Sequence, residues 1–347
     1  MTHFLRDILR QPNELRRTLD HLSGSGGGVL DAAVAAVRAA RHVYLTGIGS
    51  SWHAGLNVSA LFQLEARPVY MVDAAELVQF AAIPPESVLI AISRSGRSVE
   101  IVQLLAKARE SRATVIGITN APDGTLAREA QIAIVVPIAL DHAISVNTYT
   151  TLALAAGILA ASVAGTFHAP IAESLSRSFS AAGRAIPGWQ AQIENSPWLA
   201  PRSVTYFLAR GSSLGSAYEA RLMWEEGVKS PATAMGAASF RHGPQEIVAK
   251  DVRFGLWIDA NNMREQDLAL ARDLRKLGAR VMLIGQRLPL DAGDLVFNLP
   301  EIPTPRQFLI DIIPAQLVAE RLARLSGSDP DKFNLCKFVV ENESGLL

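Results

Sequence analysis

Six residues, Ser93-Arg-Ser-Gly-Arg-Ser98, stand where an apolar run, Ser87-Val-Leu-Ile-Ala-Ile92, gives way to helical spacing from Val99 to Ala108. A strand-to-helix turn exposes the first unpaired N–H groups of the helix, and their partial positive charge suits an anion. Ser93, Ser95 and Ser98 add hydroxyl donors, and Gly96 lets the backbone come close. The chemistry this predicts is phosphate binding. The same residues also fit a capped αβ turn in which serine holds the helix start and arginine faces water.

A second serine-bearing turn, Gly47-Ile-Gly49-Ser-Ser51, follows the run His42-Val-Tyr-Leu-Thr46. It is not a dinucleotide fingerprint, because Trp52 stands where G-x-G-x-x-G requires its third glycine. Gly49 and Ser51 are expected either to face the same small ligand or simply to close the turn. Acid–base groups lie further on. Glu219-Ala-Arg-Leu-Met-Trp-Glu-Glu226 has helical spacing that aligns Glu219, Met223 and Glu226, and Phe240-Arg-His-Gly-Pro244 places His242 on a loop, since Pro244 stops a helix. A carboxylate and a histidine near a phosphate turn form an acid–base set; the alternative is glutamates facing water and a histidine filling a turn. Lys337, in the mostly apolar Asn334-Leu-Cys-Lys337-Phe-Val-Val-Glu341, is either a half-buried amine with a depressed pKa or a side chain snorkelling to water. The histidines lack ligand spacing such as H-E-x-x-H, so no metal is expected, and no cofactor.

These groups need a scaffold. His42–Thr46, Val88–Ile92, Thr114–Ile118 and Ile132–Val136 read as buried parallel strands with helical patterns between them, which predicts a doubly wound α/β sheet with helices on both faces. The second half repeats the order. Val204–Leu208 precedes Gly211-Ser-Ser213 as Val43–Thr46 precedes Gly49-Ser-Ser51, and Phe254–Ile258, Arg280–Ile284 and Leu295–Pro300 answer the remaining strands. Four matched elements in order predict an internal duplication, two three-layer αβα units with mainly parallel sheets. Asp259-Ala-Asn-Asn-Met263 stands where the first half has its serine loop, so one phosphate site per chain is expected. The predicted organisation is an N-terminal helix and linker (1–28), a first domain (29–168), a connecting helix (169–195), a second domain (196–325) and a tail (326–347). Helical spacing in the connecting segment runs to Pro187, and Ser23–Gly28 reads as a flexible joint.

At 347 residues the chain has material for about two domains. Lys plus Arg and Asp plus Glu number 33 each, so no net field favours nucleic acid or an anionic membrane. The single cysteine, Cys336, excludes an internal disulfide and fits a reducing compartment. The charged, amphipathic start lacks the apolar core of a signal peptide, so a cytoplasmic protein is expected. The longest apolar run, Leu152–Gly165, falls short of the roughly 20 residues that span a bilayer and predicts a buried helix.

Together these features resemble the tandem SIS (sugar isomerase) domain family, in particular the isomerase half of glucosamine-6-phosphate synthase and stand-alone amino-sugar-phosphate deaminases. Gln11-Pro12 with Leu15-Arg16 is similar to the family's Q-P-x-x-L-R/K entry, Gly49-Ser-Ser51 to its G-T-S turn, and Ser93-Arg-Ser-Gly-Arg-Ser98 to its S-Q-S-G-E-T loop. The resemblance implies that Ser51, Ser93, Ser95 and Ser98 hold a sugar phosphate with Arg94 beside it, and that Ser145 lies near the sugar. Glu226 precedes His242 by sixteen residues, the separation in the family's K-E…H-G-P segment, which selects Glu226 over Glu225. Glu226 would move a proton between C1 and C2 of the open-chain sugar. His242 would assist ring opening from the neighbouring subunit of a homodimer, and Lys337, matching the N-L-A-K-S-V-T-V-E tail, would reach the sugar carbonyl.

Departures from the pattern matter too. Met223 stands in place of a lysine, Arg94 of glutamine, Arg97 of glutamate and Asn147 of a lysine, so the loop gains positive charge; a substrate with extra negative charge or a tighter phosphate clamp is one expectation. No glutaminase half with an N-terminal cysteine is expected. The predicted activity is therefore isomerisation or deamination of a hexose 6-phosphate derivative with release of ammonia or an amine. The alternative is a non-catalytic phosphosugar sensor with Glu226 and His242 idle, a reading that the loss of the lysine at Met223 keeps open. No helix pair with a basic face suggests DNA binding.

Overall fold

The computed structural model describes residues 1–65, 67–194, 196–199 and 204–342. Two five-stranded sheets organise it, every paired strand parallel to its neighbour. The first contains β1 (His42–Thr46), β2 (Tyr70–Met71), β3 (Ser87–Ser93), β4 (Thr114–Thr119) and β5 (Ile132–Val135), in spatial order β2-β1-β3-β4-β5. The second contains β6 (Thr205–Ala209), β7 (Ala232–Gly236), β8 (Arg253–Trp257), β9 (Arg280–Gly285) and β10 (Leu295–Asn298), in order β10-β9-β8-β6-β7. Taken from opposite edges the two orders are the same. One doubly wound topology is used twice, as the repeated sequence pattern predicts.

Helices in chain order are α1 (His3–Ser23), α2 (Gly27–Ala39), α3 (Ser50–Leu64), α4 (Ala74–Phe80), α5 (Val99–Ser111), α6 (Thr125–Glu129), α7 (Asn147–Ala164), α8 (Ala169–Glu194), α9 (Leu214–Met223), α10 (Ala237–Phe240), α11 (Arg264–Lys276) and α12 (Ile313–Ser326). The chain divides into two compact units. The first-sheet unit comprises Asn13–Asp141, Ser145–Ser176 and Phe333–Leu347; the second-sheet unit comprises Met1–Pro12, His142–Ile144 and Arg177–Lys332.

In the first-sheet unit β3 is buried throughout, which explains its uninterrupted apolar run. Its Leu89 and Ala91 pack with Leu77 of α4, Leu104 of α5 and Leu126 of α6. Alternate residues point to the opposite face, where α3 and α7 lie against the sheet. In the second-sheet unit Phe254 and Leu256 of β8 share a core with Leu268 and Leu274 of α11 and Phe240 of α10. The apolar run around Leu152 forms part of α7, which is long and apolar enough to cross a membrane by length and composition, yet 89% of it is buried inside the protein.

Four elements differ from the sequence expectation. The fifth strand of each sheet was not legible: β2 has two residues, and Ala-Thr-Ala-Met-Gly of β7 carries little β-branched bulk, so pairing with β1 and β6 is what makes them strands. Helix α8 continues through Pro187 to Glu194. Proline removes one hydrogen bond and crowds the carbonyl four residues back, but buried Trp189 and Ile193 tie the following turns to the core. The expected flexible joint is a short turn, with α1 ending at Ser23 and Gly27-Gly28 opening α2. Residue 195, the expected end of the connecting helix, and tail residues 343–347 lie outside the described residues.

Candidate active site

The serine loop lies at the carboxyl end of β3, beside β1, where the strand order reverses. Ligands of open α/β sheets sit at such a reversal, because the loops diverge there and leave a crevice. Gly49 and Ser51 follow β1 in the same position, Gly49 with φ of 56° immediately before α3. Two of the loop's three serines hold the loop itself: Ser93 Oγ accepts the N–H of Gly96 at 3.0 Å, and Ser95 Oγ accepts that of Arg97 at 3.2 Å. Gly96 adopts φ of 62°, and its carbonyl accepts the N–H of Leu126 at 3.0 Å. Ser98 is the N-cap of α5 but makes no side-chain cap bond, which leaves its half-buried hydroxyl at the positive end of the helix without the usual capping duty.

Ser145 belongs to the same unit and precedes α7. Its position follows from Asp141, an acid the sequence reading did not single out. The buried Asp141 carboxylate accepts the N–H groups of Val146, Asn147 and Thr148 at 2.8–3.0 Å, Asn147 Nδ2 at 2.7 Å and Thr148 Oγ1 at 2.7 Å. Five donors converge on one side chain, so the segment ahead of α7 is tied down from beneath. The available signal was an aspartate shortly before Asn-Thr at a helix start, a capping pattern stretched by a loop.

Arg94 is not directed at solvent. Its Nη1 donates to Ser145 Oγ at 3.1 Å, its Nη2 donates to the carbonyl of Phe338 at 2.9 Å, and its guanidinium carbon stands 3.8 Å from the Phe338 ring centroid. The tail thus returns to the serine loop, and the N–H of Val99 donates to the carbonyl of Val340 at 3.0 Å. Phe338 was not among the expected site residues. Lys337, read as half-buried or snorkelling, is exposed on this strap, as is Cys336, and Arg97 is exposed on the serine loop. Asn147, where the family pattern has lysine, is fully buried and engaged with Asp141.

In the second-sheet unit, α9 ends at Met223 and Trp224–Val228 forms a π turn, so the alignment expected from uniform helical spacing stops at Met223. Glu219 and Met223 are buried, Glu226 is half-exposed on the π turn and Glu225 is exposed. Such wider turns often occur at functional sites. Trp224, buried with ring centroids 4.8 Å from Phe207 and 6.2 Å from Trp198, anchors the turn, and Lys229 closes it in left-handed backbone with φ of 57°, its ammonium donating to the Glu226 carbonyl. His242 is exposed in the turn after α10, its N–H bonded to the Ser239 carbonyl at 3.0 Å.

The second unit's equivalent of the Ser51 turn is closed by protein. Ser212 Oγ donates to the Pro305 carbonyl at 2.7 Å and Ser213 Oγ to Asp311 Oδ2 at 2.6 Å. Burial pushes the Asp311 carboxyl up to about 6, against the opposing pull of the Ser213 hydroxyl. Nearby, Arg210 pairs with Asp267 at 2.7 Å, and Asp267 is raised by burial despite this cation. These groups serve one another. A cavity of about 690 Å³ in the first-sheet unit runs between the end of α1 and β5, past His21, Asn120 and Val135, and includes none of the expected site residues. Among the described residues, no group of three or more His, Cys, Asp or Glu is placed to hold a metal ion.

A family profile described as SIS domain matches residues 36–161. A glutamine–fructose-6-phosphate aminotransferase (isomerizing) of Pyrobaculum aerophilum is 28% identical over 365 aligned positions, covering 97% of this chain and 57% of that protein. The chain therefore spans a little over half the length of the curated relatives it matches. The C-terminal domain of glucosamine-fructose-6-phosphate aminotransferase from Francisella tularensis superposes with a TM-score of 0.85 at 21% identity, covering 95% of this chain and 97% of that one. Glucosamine-6-phosphate deaminase from Thermotoga maritima gives 0.82 at 22% identity, covering 98% and 99%. The SIS-domain profile thus lies on the first sheet, similarity to the curated relatives runs along nearly the whole chain, and the fold is shared with both solved structures.

Proposed function

We propose that the chain is a phosphosugar isomerase or deaminase acting on a hexose 6-phosphate derivative. The observation that carries this reading is the serine corner: at the strand-order reversal, Ser98 sits on the α5 N-terminus without a capping bond, next to a loop whose shape Ser93 and Ser95 fix by accepting its own N–H groups. A phosphate dianion requires several convergent donors, and helix N–H groups with serine hydroxyls supply them. The relative named for glutamine–fructose-6-phosphate chemistry and the solved structure named for glucosamine 6-phosphate support a phosphorylated hexose.

In this reading Ser51, Ser93, Ser95 and Ser98, with Gly49 and Gly96, hold the phosphate and Ser145 borders the sugar. Glu226 takes the proton from C2 of the open-chain aldose, and protonation at C1 completes the shift. With a C2 amine the product is an imine, which takes up water and releases ammonia to leave the ketose. A positioned general base is worth about 10²- to 10⁴-fold, and the remote phosphate fixes orientation. Lys337 reaches the carbonyl, and His242 assists ring opening from the partner of a homodimer, a role that suits its exposure.

The test is a thermal-shift screen of hexose 6-phosphates, followed by assays of ammonia release and aldose–ketose exchange with glucosamine 6-phosphate and fructose 6-phosphate. Glu226→Gln is expected to lower turnover at least about 10²-fold with phosphosugar affinity retained. The fully buried Met223, in place of a lysine in the family pattern, favours a second reading, a non-catalytic phosphosugar sensor. Binding without turnover of any sugar phosphate by the parent protein would select that reading.

A further inference from the structure

We propose that Arg94 is the latch of the C-terminal strap, a positioning residue that grips Phe338 and thereby sets where the adjoining Lys337 stands. The strap, residues 333–342, contains no helix or strand, and three of its five large apolar side chains are exposed, Leu335 at 70%, Phe338 at 42% and Val340 at 43%, while Phe333 and Val339 are half-buried. Apolar burial supplies little to fix such a segment. Polar and ring contacts must do so, and Arg94 makes two of them with one residue, donating to the Phe338 carbonyl at 2.9 Å while its guanidinium covers the Phe338 ring at 3.8 Å. The Val99 N–H to Val340 carbonyl bond holds the strap two residues further on.

Arg94 is itself held from the core. Thr119 Oγ1 donates to its carbonyl at 3.3 Å, and its Nη1 donates to Ser145 Oγ, which precedes the segment bound by Asp141. The contacts therefore run from β4 and the start of α7, through one guanidinium, to the strap. A planar fork can cover a ring with its face and donate from its edge at once, which an ammonium cannot do. The family resemblance implies a place for Arg94 beside a phosphate; the structure directs its two terminal nitrogens to Ser145 and Phe338. The latch rests on this geometry, whereas the consequence for Lys337 rests on the function proposed above.

The test uses the full chain with Arg94→Gln, Phe338→Ala and the double variant. In sugar-free protein, hydrogen exchange at the Val99 amide and tryptic cleavage after Lys337 should each accelerate by at least about tenfold in either single variant, with no further increase in the double. Rates within about twofold of the parent, or single effects that multiply in the double variant, would overturn the latch. Arg94→Lys should behave like Arg94→Gln; full recovery by lysine would show that charge alone suffices and would equally overturn it. With glucosamine 6-phosphate, Arg94→Gln should lower kcat with KM little changed, whereas a raised KM at unchanged kcat would make Arg94 a phosphate ligand instead. If the parent protein turns over no sugar phosphate, the enzymatic reading falls, while exchange and cleavage still decide the latch.

Discussion

The hydroxyl of Ser213 donates to Oδ2 of Asp311 across 2.6 Å, and the carboxyl it meets is fully buried. The folded pKa of Asp311, about 6, exceeds the ordinary carboxyl value because burial disfavours the charge. A raised carboxyl pKa means that the fold prefers the protonated acid. Its contribution is fully present below about pH 4 and lost as pH rises through about 6. The predicted loss is on the order of 3 kcal/mol. Asp311→Asn keeps an acceptor for Ser213 and removes the ionisation. Urea unfolding from pH 4 to 7.5 should show the variant gaining on the parent across that interval, and parallel curves would show that folding does not raise the Asp311 pKa.

Asp141 collects five donors ahead of α7. Its removal leaves buried N–H groups without an acceptor, at about 1–3 kcal/mol for an unsatisfied group. Asp141→Ala should destabilise the protein by at least about 3 kcal/mol and weaken phosphosugar binding, because Ser145 loses its support. Denaturant unfolding and calorimetric titration check the two effects. An unchanged unfolding midpoint would count against the capping role.

Two glycines restrict the serine loop for different reasons. Gly96 has φ of 62°, which disfavours any side chain, whereas Gly124 has an ordinary φ of −69° but would place a Cβ 2.5 Å from the Ser95 carbonyl oxygen. Gly124→Ala should therefore displace the loop by contact alone, with a cost of about 1–3 kcal/mol typical of overpacking and a fall in phosphosugar affinity. Gly96→Ala should lose about 1–2 kcal/mol through backbone strain. Thermal unfolding with and without glucosamine 6-phosphate reports both.

Ser93 and Ser98 should separate structure from binding. Ser93 accepts the Gly96 N–H inside the loop, so Ser93→Ala should lower stability by about 1–2 kcal/mol as well as weaken binding. Ser98 makes no cap bond, so Ser98→Ala should leave stability within about 0.5 kcal/mol while phosphosugar affinity falls. Equal losses of stability in the two variants would show that Ser98 has a structural role after all.

The amino-acid sequence by itself determined the repeated α/β plan and the location of the serine loop. Strands such as β3 and β4 are buried on both faces, so their residues must form unbroken apolar runs, and Ser93–Ser98 interrupts such a run with residues that only a turn would carry. Those signals are local. What depends on partners far along the chain was decided only in three dimensions: β2 and β7 become strands through pairing with β1 and β6, α8 passes through Pro187 because its later turns are packed, and the π turn carrying Glu226 is fixed by the fit of Trp224 between Phe207 and Trp198. The same holds for Arg94. Its neighbours in sequence are two serines, but its neighbours in space are Ser145 and Phe338, and no periodicity encodes a contact across 244 positions.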